Sequence, residues 1–362
     1  MSERIAELFG HKAKPSLILA PMVRAGSLPL RLLSLHYGAT TVFSEEIIAK
    51  KLLGATRVEN AELKTVDFIM EHKQNNLVFR TCEMEQGKNI LQLGSANATE
   101  ALHAAQLVQR DVAGVDLNMG CPEHFSIHGN MGAALLAPKP EVAMDILQAL
   151  RRNLPPTVTV SCKVRLLEDQ KHTIEMLQNL ERAGAEAITI HARRRPERPR
   201  DRARWEELEE IIQHLSVPVV VNGSVFQYAN DYDRILQAAP SASGVMVARG
   251  ALDDFSAAFC NDKLSAAQIC EQYLGVAELC GTNFGNSKWY LSQLLRYRTD
   301  LGEKQVLSQA LAKSRTFPDL RAAFGVDSEL ALQSTLWQDT TSWTTALQRA
   351  MYPSSPVKRL CM

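Results

Sequence analysis

Residues 114–193 set the pattern for the whole chain. They run GVDLNMG (114–120), EVAMDILQALRRNL (141–154), TVSCKVR (159–165), an amphipathic stretch over 172–184, and AITIHAR (187–193). Three short apolar runs rich in β-branched residues alternate with two stretches of 3.6-residue periodicity, which predicts β-α-β-α-β. The runs are continuous rather than alternating, as in strands buried on both faces of a parallel sheet. Working outward, five more runs fit: SLILAP (16–21), TTVFSEE (40–46), NILQLG (89–94), VPVVVNGS (217–224) and GVMVARG (244–250). Further helices are predicted over 99–112 and 205–215. Eight β-then-α units over roughly 250 residues predict an α/β fold, a (β/α)8 TIM barrel, with a doubly wound sheet as the rival. Residues 64–85, with TVDFIM and NLVFRTCEME, interrupt the rhythm as an inserted hairpin.

After about residue 262 the strand pattern ends. Consecutive helical stretches over 263–326 predict a small all-α domain after a barrel of residues 1–262, and residues 327–362 receive no fold. The chain is 46% apolar and 22% charged, a soluble globular composition. It contains no run of about 18 apolar residues, so no membrane span is predicted. Residues 1–16 lack the apolar core of a secretory signal. Seven cysteines, with no C-x-x-C pair, predict neither a disulfide framework nor a metal site and suggest a reducing compartment. A cytoplasmic monomer is expected, with nuclear and mitochondrial placement open.

The strand ends carry polar residues. In a barrel these ends converge on one mouth, where catalysis takes place. Met22 and Val23 follow the first strand after Pro21; the others bring Gln92, Asn118 with Cys121 beyond it, Lys163 and Arg165, His191 and Arg193, Asn222-Gly223-Ser224, and Ala248-Arg249. Loops after strands seven and eight commonly cradle phosphate, so a phosphate-bearing cofactor is expected there. Gln92 and Asn118 each offer a donor and an acceptor, suited to the edge of a flat heterocycle. From 193 to 204 seven arginines face Glu197 and Asp201, a local charge of seven minus two, +5. Such a run is usually a solvated face, but its place beside the mouth points to phosphate contact through Arg193, Arg194, Arg195 and Arg198. Lys288, Arg296 and Arg298 would extend that surface.

Taken together, LAPMVRAGSLPLRLL (19–33), Glu45-Glu46, LQLGS (91–95), DLNMGCP (116–122), GNMGAALL (129–136), CKVR, IHAR, VNGS and VMVARGAL resemble the tRNA-dihydrouridine synthases. The stretches VDFI, VFRTCEMEQ and EHFSIHGNMGAALL look closest to the eukaryotic subgroup acting on position 20 of the D-loop. The resemblance implies flavin-dependent reduction of a tRNA uridine, with NADPH supplying electrons. It implies a catalytic role for Cys121. It implies FMN binding by Pro21, Met22, Val23, Gln92, Lys163, His191, Asn222, Gly223, Ser224, Ala248 and Arg249. Asn118 and Arg165 would lie near the uridine.

Two features depart from the family. Glu123 stands where many relatives carry a basic residue, and residues 327–362 are too few for the double-stranded-RNA-binding domain of animal members. Saturating uracil needs a hydride at C6 and a proton at C5. A thiol with pKa ~8.5 is mostly protonated at neutral pH and can act as the general acid, on a glycine-rich loop free to swing over the base. Two other readings stay open: a flavin barrel acting on a free pyrimidine, and an RNA-binding protein without catalysis.

Overall fold

The computed structural model describes residues 2–71, 77–136, 140–226, 228–260, 263–297 and 304–326. Arg298, the junction at 261–262 and the segment 327–362 lie outside them. The strands are β1 (Ser16–Leu19), β2 (Thr41–Ile48), β3 (Thr56–Asn60), β4 (Thr65–Ile69), β5 (Leu77–Cys82), β6 (Asn89–Gly94), β7 (Gly114–Met119), β8 (Thr159–Leu166), β9 (Ala187–Arg194), β10 (Val219–Asn222) and β11 (Gly244–Val247). Eight close into a parallel barrel in the order β1-β11-β10-β9-β8-β7-β6-β2, which removes the doubly wound alternative. All eight are the strands that the apolar runs predicted.

The connecting helices begin where side chains can satisfy free N–H groups. Asn97 accepts from Glu100 N ahead of Ala98–Val108, and Asp169 accepts from His172 N ahead of Gln170–Arg182. The helix expected over 205–215 starts as a single 3-10 turn, Trp205–Glu207, before Leu208–Gln213. Several short helices have no named counterpart in the sequence reading, and one of them shapes the barrel. Glu3–Phe9 closes the bottom of the barrel, where Leu8 and Phe9 pack with Ile18, Phe43, Ile90, Val220 and Met246. Thr41 Oγ1 donates to Leu8 O at 2.7 Å. This apolar floor confines the polar interior positions to the opposite end.

The insertion is larger than a hairpin. It is a three-stranded antiparallel sheet, β3-β4-β5, and β3 (TRVEN) is the strand that the sequence reading lacked. Four of its five residues are exposed, so no apolar alternation marks it. Arg80 on β5 pairs with Asp67 on β4 and donates from Nη1 to Cys280 O (2.6 Å) and Gly281 O (3.0 Å). The sheet is thereby tied to the C-terminal helices Ala266–Leu279, Phe284–Tyr297, Lys304–Lys313 and Phe317–Phe324. Capping boxes at Ser265/Gln268 and Thr316/Asp319 start two of them. Among the described residues no helix is long and apolar enough to cross a membrane.

Beneath the sheet lies a fully buried ion pair. Arg31 donates from Nε and Nη2 to the two carboxylate oxygens of Glu85, each at 2.7 Å, and from Nη1 to Gly26 O at 2.6 Å. Nη2 also reaches Arg80 O at 2.6 Å. The pair therefore fastens the loop after β1 to the inserted sheet. Glu85→Ala leaves the Arg31 guanidinium buried without its counter-charge, which costs about 3–5 kcal/mol. Glu59→Ala, at an exposed pair with Arg57, costs about 0–1 kcal/mol. Urea unfolding midpoints of the two variants measure the contrast.

Candidate active site

The site is built from strand register. On the interior face, Gln92 stands opposite Asp116 and Asp116 opposite Ser161. One step toward the mouth, Asn118 stands opposite Lys163; a further step brings Arg165, His191 and Asn222 into line. The predicted strand-end residues thus meet at one end of the barrel.

A hydrogen-bond chain runs through this face. Asp116, wholly buried, accepts from Ser161 Oγ (2.7 Å) and Gln92 Nε2 (2.8 Å). Gln92 Oε1 accepts from Asn118 Nδ2 (3.0 Å), and Asn118 Oδ1 accepts from the backbone N–H of Gly120 (2.9 Å) and Cys121 (3.0 Å). Neither Asp116 nor Ser161 was named as a site residue in the sequence reading, although a carboxylate inside the apolar run GVDLN was a signal. Burial pushes the Asp116 carboxyl up to about 6, with Lys163 acting against it.

Cys121 is half-buried. Burial, and then the nearby Glu46 carboxyl, push its thiol up to about 11. The loop that the sequence reading described as free to swing is held here by backbone contacts. Ala133 N donates to Cys121 O at 3.0 Å. Gly132, at φ 58°, supplies close approach: a Cβ there would stand 2.3 Å from Ser126 Oγ and 2.8 Å from Cys121 O. Arg165 closes the other side, Nε to Gly120 O at 2.8 Å and Nη1 to Arg194 O and Glu197 O at 3.1 Å.

Across the mouth, a cavity of about 100 Å³ is lined by His191, Arg193, Arg198, Asn222, Gly223, Ser224, Ala248 and Arg249, with Arg165. Arg193, assigned to an outer phosphate surface by the sequence, is instead 3% exposed and turned inward. It donates to Ser224 Oγ, Asp201 O and His191 Nε2. Since guanidinium can only donate, that imidazole nitrogen is an acceptor. Burial, then Lys163 and the arginines, hold His191 well below its ordinary value, so it is neutral. Burial lowers Lys163 to about 8. Asn222 Nδ2 donates to Met246 O at 2.8 Å. Gly223 adopts φ 118°, and a Cβ on it would strike His191 Cδ2 at 2.8 Å.

The rest of the arginine run is less cationic than its sequence suggests. Arg194 pairs with Glu207, Arg202 with Glu206, and Arg204 with Glu197. Arg195, Arg198 and Arg200 are exposed, and none is paired with a carboxylate among the described residues. In the helical region, Lys288 Nζ donates to Ala312 O and Ser314 O, both at 2.9 Å, so its charge closes a helix end. Lys288 and Arg296 line one groove between Phe284–Tyr297 and Lys304–Lys313. After β1, Pro21 and Met22 are half-buried and Val23 is 45% exposed. The Arg24 guanidinium lies over the Trp289 ring at 5.1 Å, which sets a C-terminal helix beside this loop. Among the described residues no group of three His, Cys, Asp or Glu side chains could hold a metal ion, and none of the six described cysteines is in a disulfide.

The comparisons with known proteins agree with this architecture. The chain is 38% identical over 317 residues to a Schizosaccharomyces pombe protein named tRNA-dihydrouridine(20) synthase (NAD(P)+), covering 85% of this chain and 64% of that one. A Saccharomyces cerevisiae protein of the same name is 37% identical, with 77% of each chain covered. A human tRNA-dihydrouridine(20a/20b) synthase-like protein is 26% identical, over 88% of this chain and 94% of that one. The chain thus spans less than two thirds of the length of the fission-yeast relative. The sequence pattern described as dihydrouridine synthase (Dus) matches residues 18–255, from β1 through the last barrel strand, and the chain belongs to the dihydrouridine synthase family.

Proposed function

We propose that this chain reduces a uridine of the tRNA D-loop, at position 20, to 5,6-dihydrouridine, with FMN as cofactor and NADPH as reductant. One observation carries the reading: a half-buried cysteine thiol and an arginine-lined cavity stand at one barrel mouth, joined by Arg165, which lines the cavity and donates to Gly120 O. Family membership supports the reaction class, and the two yeast relatives' names support position 20 and a nicotinamide reductant.

The residues present fit FMN. Arg193, Arg249 and the loop at Gly223-Ser224 offer donors for a phosphate in a cavity with no carboxylate in its lining. Pro21, Met22, Val23, Gln92, Lys163, His191, Asn222 and Ala248 would surround the rest of the group. Bound and reduced, FMN supplies the hydride that adds to C6 of uracil. Cys121 holds the proton destined for C5; with its thiol at about 11, nearly every molecule carries that proton at neutral pH. Lys163, at about 8, is mostly cationic there and favours negative charge developing on the base. Asn118 fixes the backbone N–H of Cys121 and so the thiol's starting point. A base inside a stacked loop must be extruded to reach this depth, and the exposed arginines 195, 198 and 200 are placed for the RNA backbone.

Purified protein with an unmodified tRNA transcript, FMN and NADPH should form dihydrouridine in the D-loop. Cys121→Ala should retain the flavin's visible absorbance and lose about 10²-fold or more in product formation. Bound flavin and NADPH oxidation with no product on any tRNA would overturn the substrate assignment, and reduction of free pyrimidines would replace it.

Replacing Arg195 and Arg200 together by Ala should weaken tRNA binding at low salt. The slope of log affinity against log salt should fall by up to about 0.7–0.9 for each lost phosphate contact. An unchanged slope in filter-binding titrations would remove these two side chains from the RNA surface.

A further inference from the structure

A carboxyl group beside the thiol has no part in the mechanism above. β2 carries a bulge: Phe43 pairs with Ile90, but Glu46 pairs with Gln92, three steps on β2 against two on β6. The extra residue turns Glu46, not Glu45, onto the interior face. Glu45 is instead used outside, where its Oε2 accepts from Arg24 N at 2.8 Å. Glu46 is 9% exposed. Its Oε1 accepts from Ser126 Oγ at 3.3 Å. Its Oε2 is buried and has no hydrogen-bond partner among the described residues. The Cys121 thiol lies beside this carboxyl. Gly94 keeps the space open, since a Cβ there would stand 2.6 Å from Oε1. An unpaired carboxylate in such a place is costly, and burial favours its protonated form.

We propose that Glu46 keeps the Cys121 thiol protonated and returns a proton to it after each turnover. The inference rests on the acid role given to Cys121. When the thiol protonates C5, its S–H bond breaks and a C–H bond forms, leaving a thiolate against the carboxyl. The thiolate draws a proton from solvent onto Glu46; the Glu46 O–H then breaks as S–H reforms, leaving the carboxylate that opposes a new thiolate. The other charged groups near the thiol are Lys163 and Arg165 on β8, and both favour the thiolate. The β6 residues packed against Glu46, Gln92 and Gly94, do not titrate. Of the charged groups that act on the thiol, Glu46 is the one that opposes these cations.

The test reads the thiol directly. On the holoenzyme, iodoacetamide labelling of the Cys121 peptide is followed by mass spectrometry as a function of pH. Glu46→Gln removes the charge at nearly constant shape. Its labelling midpoint should fall below that of the wild type, with labelling at pH 8.5 about tenfold faster for each unit of fall. Glu46→Asp keeps the charge and should stay near the wild-type midpoint. An unchanged midpoint in Glu46→Gln, or equal falls in both variants, would overturn the proposal. With tRNA and pre-reduced enzyme, Glu46→Gln should complete a first turnover at the wild-type rate and then slow several-fold in steady state. Equal slowing of both phases would overturn the proton return. A moved midpoint in a protein that forms no dihydrouridine would leave the Glu46–Cys121 coupling standing and count against the tRNA reading alone.

Discussion

The mouth of the barrel depends on one buried carboxylate. Asp116 has only acceptors to offer when ionised, so the group that meets it must donate. Gln92 therefore turns Nε2 toward it, which leaves Oε1 to accept from Asn118. Asn118 in turn presents Oδ1 to the N–H groups of Gly120 and Cys121. Each amide has one orientation because the first link allows only one. An amide in place of Asp116 would offer a donor as well and leave that orientation undetermined. The starting point of the Cys121 loop is thus set three hydrogen bonds away, on rigid strands. Lys163, itself buried, supplies the positive charge that helps Asp116 ionise.

The barrel was legible because its strands are buried on both faces, and a continuous apolar run needs no knowledge of register to be seen. The polar ring was legible for the same reason: each strand ends where apolar residues give way to Asn118, Lys163, His191 or Asn222. Register was not legible. The bulge in β2 adds one residue and exchanges the faces of Glu45 and Glu46, so a pair noticed only as a motif proves to be one outward tie and one inward carboxyl. β9 is irregular too, between its pairings at His191 and Arg194. Charge counted along the chain misled for a related reason. Glu206 and Glu207 lie just beyond the arginine run, and they pair with Arg202 and Arg194. The helix Glu3–Phe9 escaped notice because seven residues make only two turns, too few to establish a period.

The C-terminal helices reach the barrel through polar ties as well as packing. Arg80 reaches the carbonyls of Cys280 and Gly281, Tyr37 OH donates to Gln272 Oε1, and Arg24 lies over Trp289 while Asn286 donates to Arg24 O. Arg24 immediately follows Val23, so the loop after β1 has both a barrel tie, through Glu45, and a helical tie. The Arg31–Glu85 pair adds a third anchor at Gly26. A short exposed loop at the mouth is thereby fixed at both ends without a regular element of its own.

These ties serve a mouth with an electrostatic conflict. On the proposed function, an anionic cofactor and an RNA backbone call for cations, and Lys163, Arg165, Arg193 and Arg249 would supply them. Cations beside a cysteine lower its pKa and produce a thiolate, which cannot give a proton to carbon. A thiol proposed as the acid therefore needs shelter from the charges proposed to bring its substrate. Part of the shelter is burial in a loop closed by Gly132, which penalises the thiolate. The other part, as proposed above, is the Glu46 carboxyl beside the thiol. β2 provides it only because its bulge points Glu46 inward. The same cations need no such protection from His191, which burial already keeps neutral. Burial thus pushes the thiol and the imidazole toward their uncharged forms, while the guanidinium groups, far too basic to lose their protons, keep their charge.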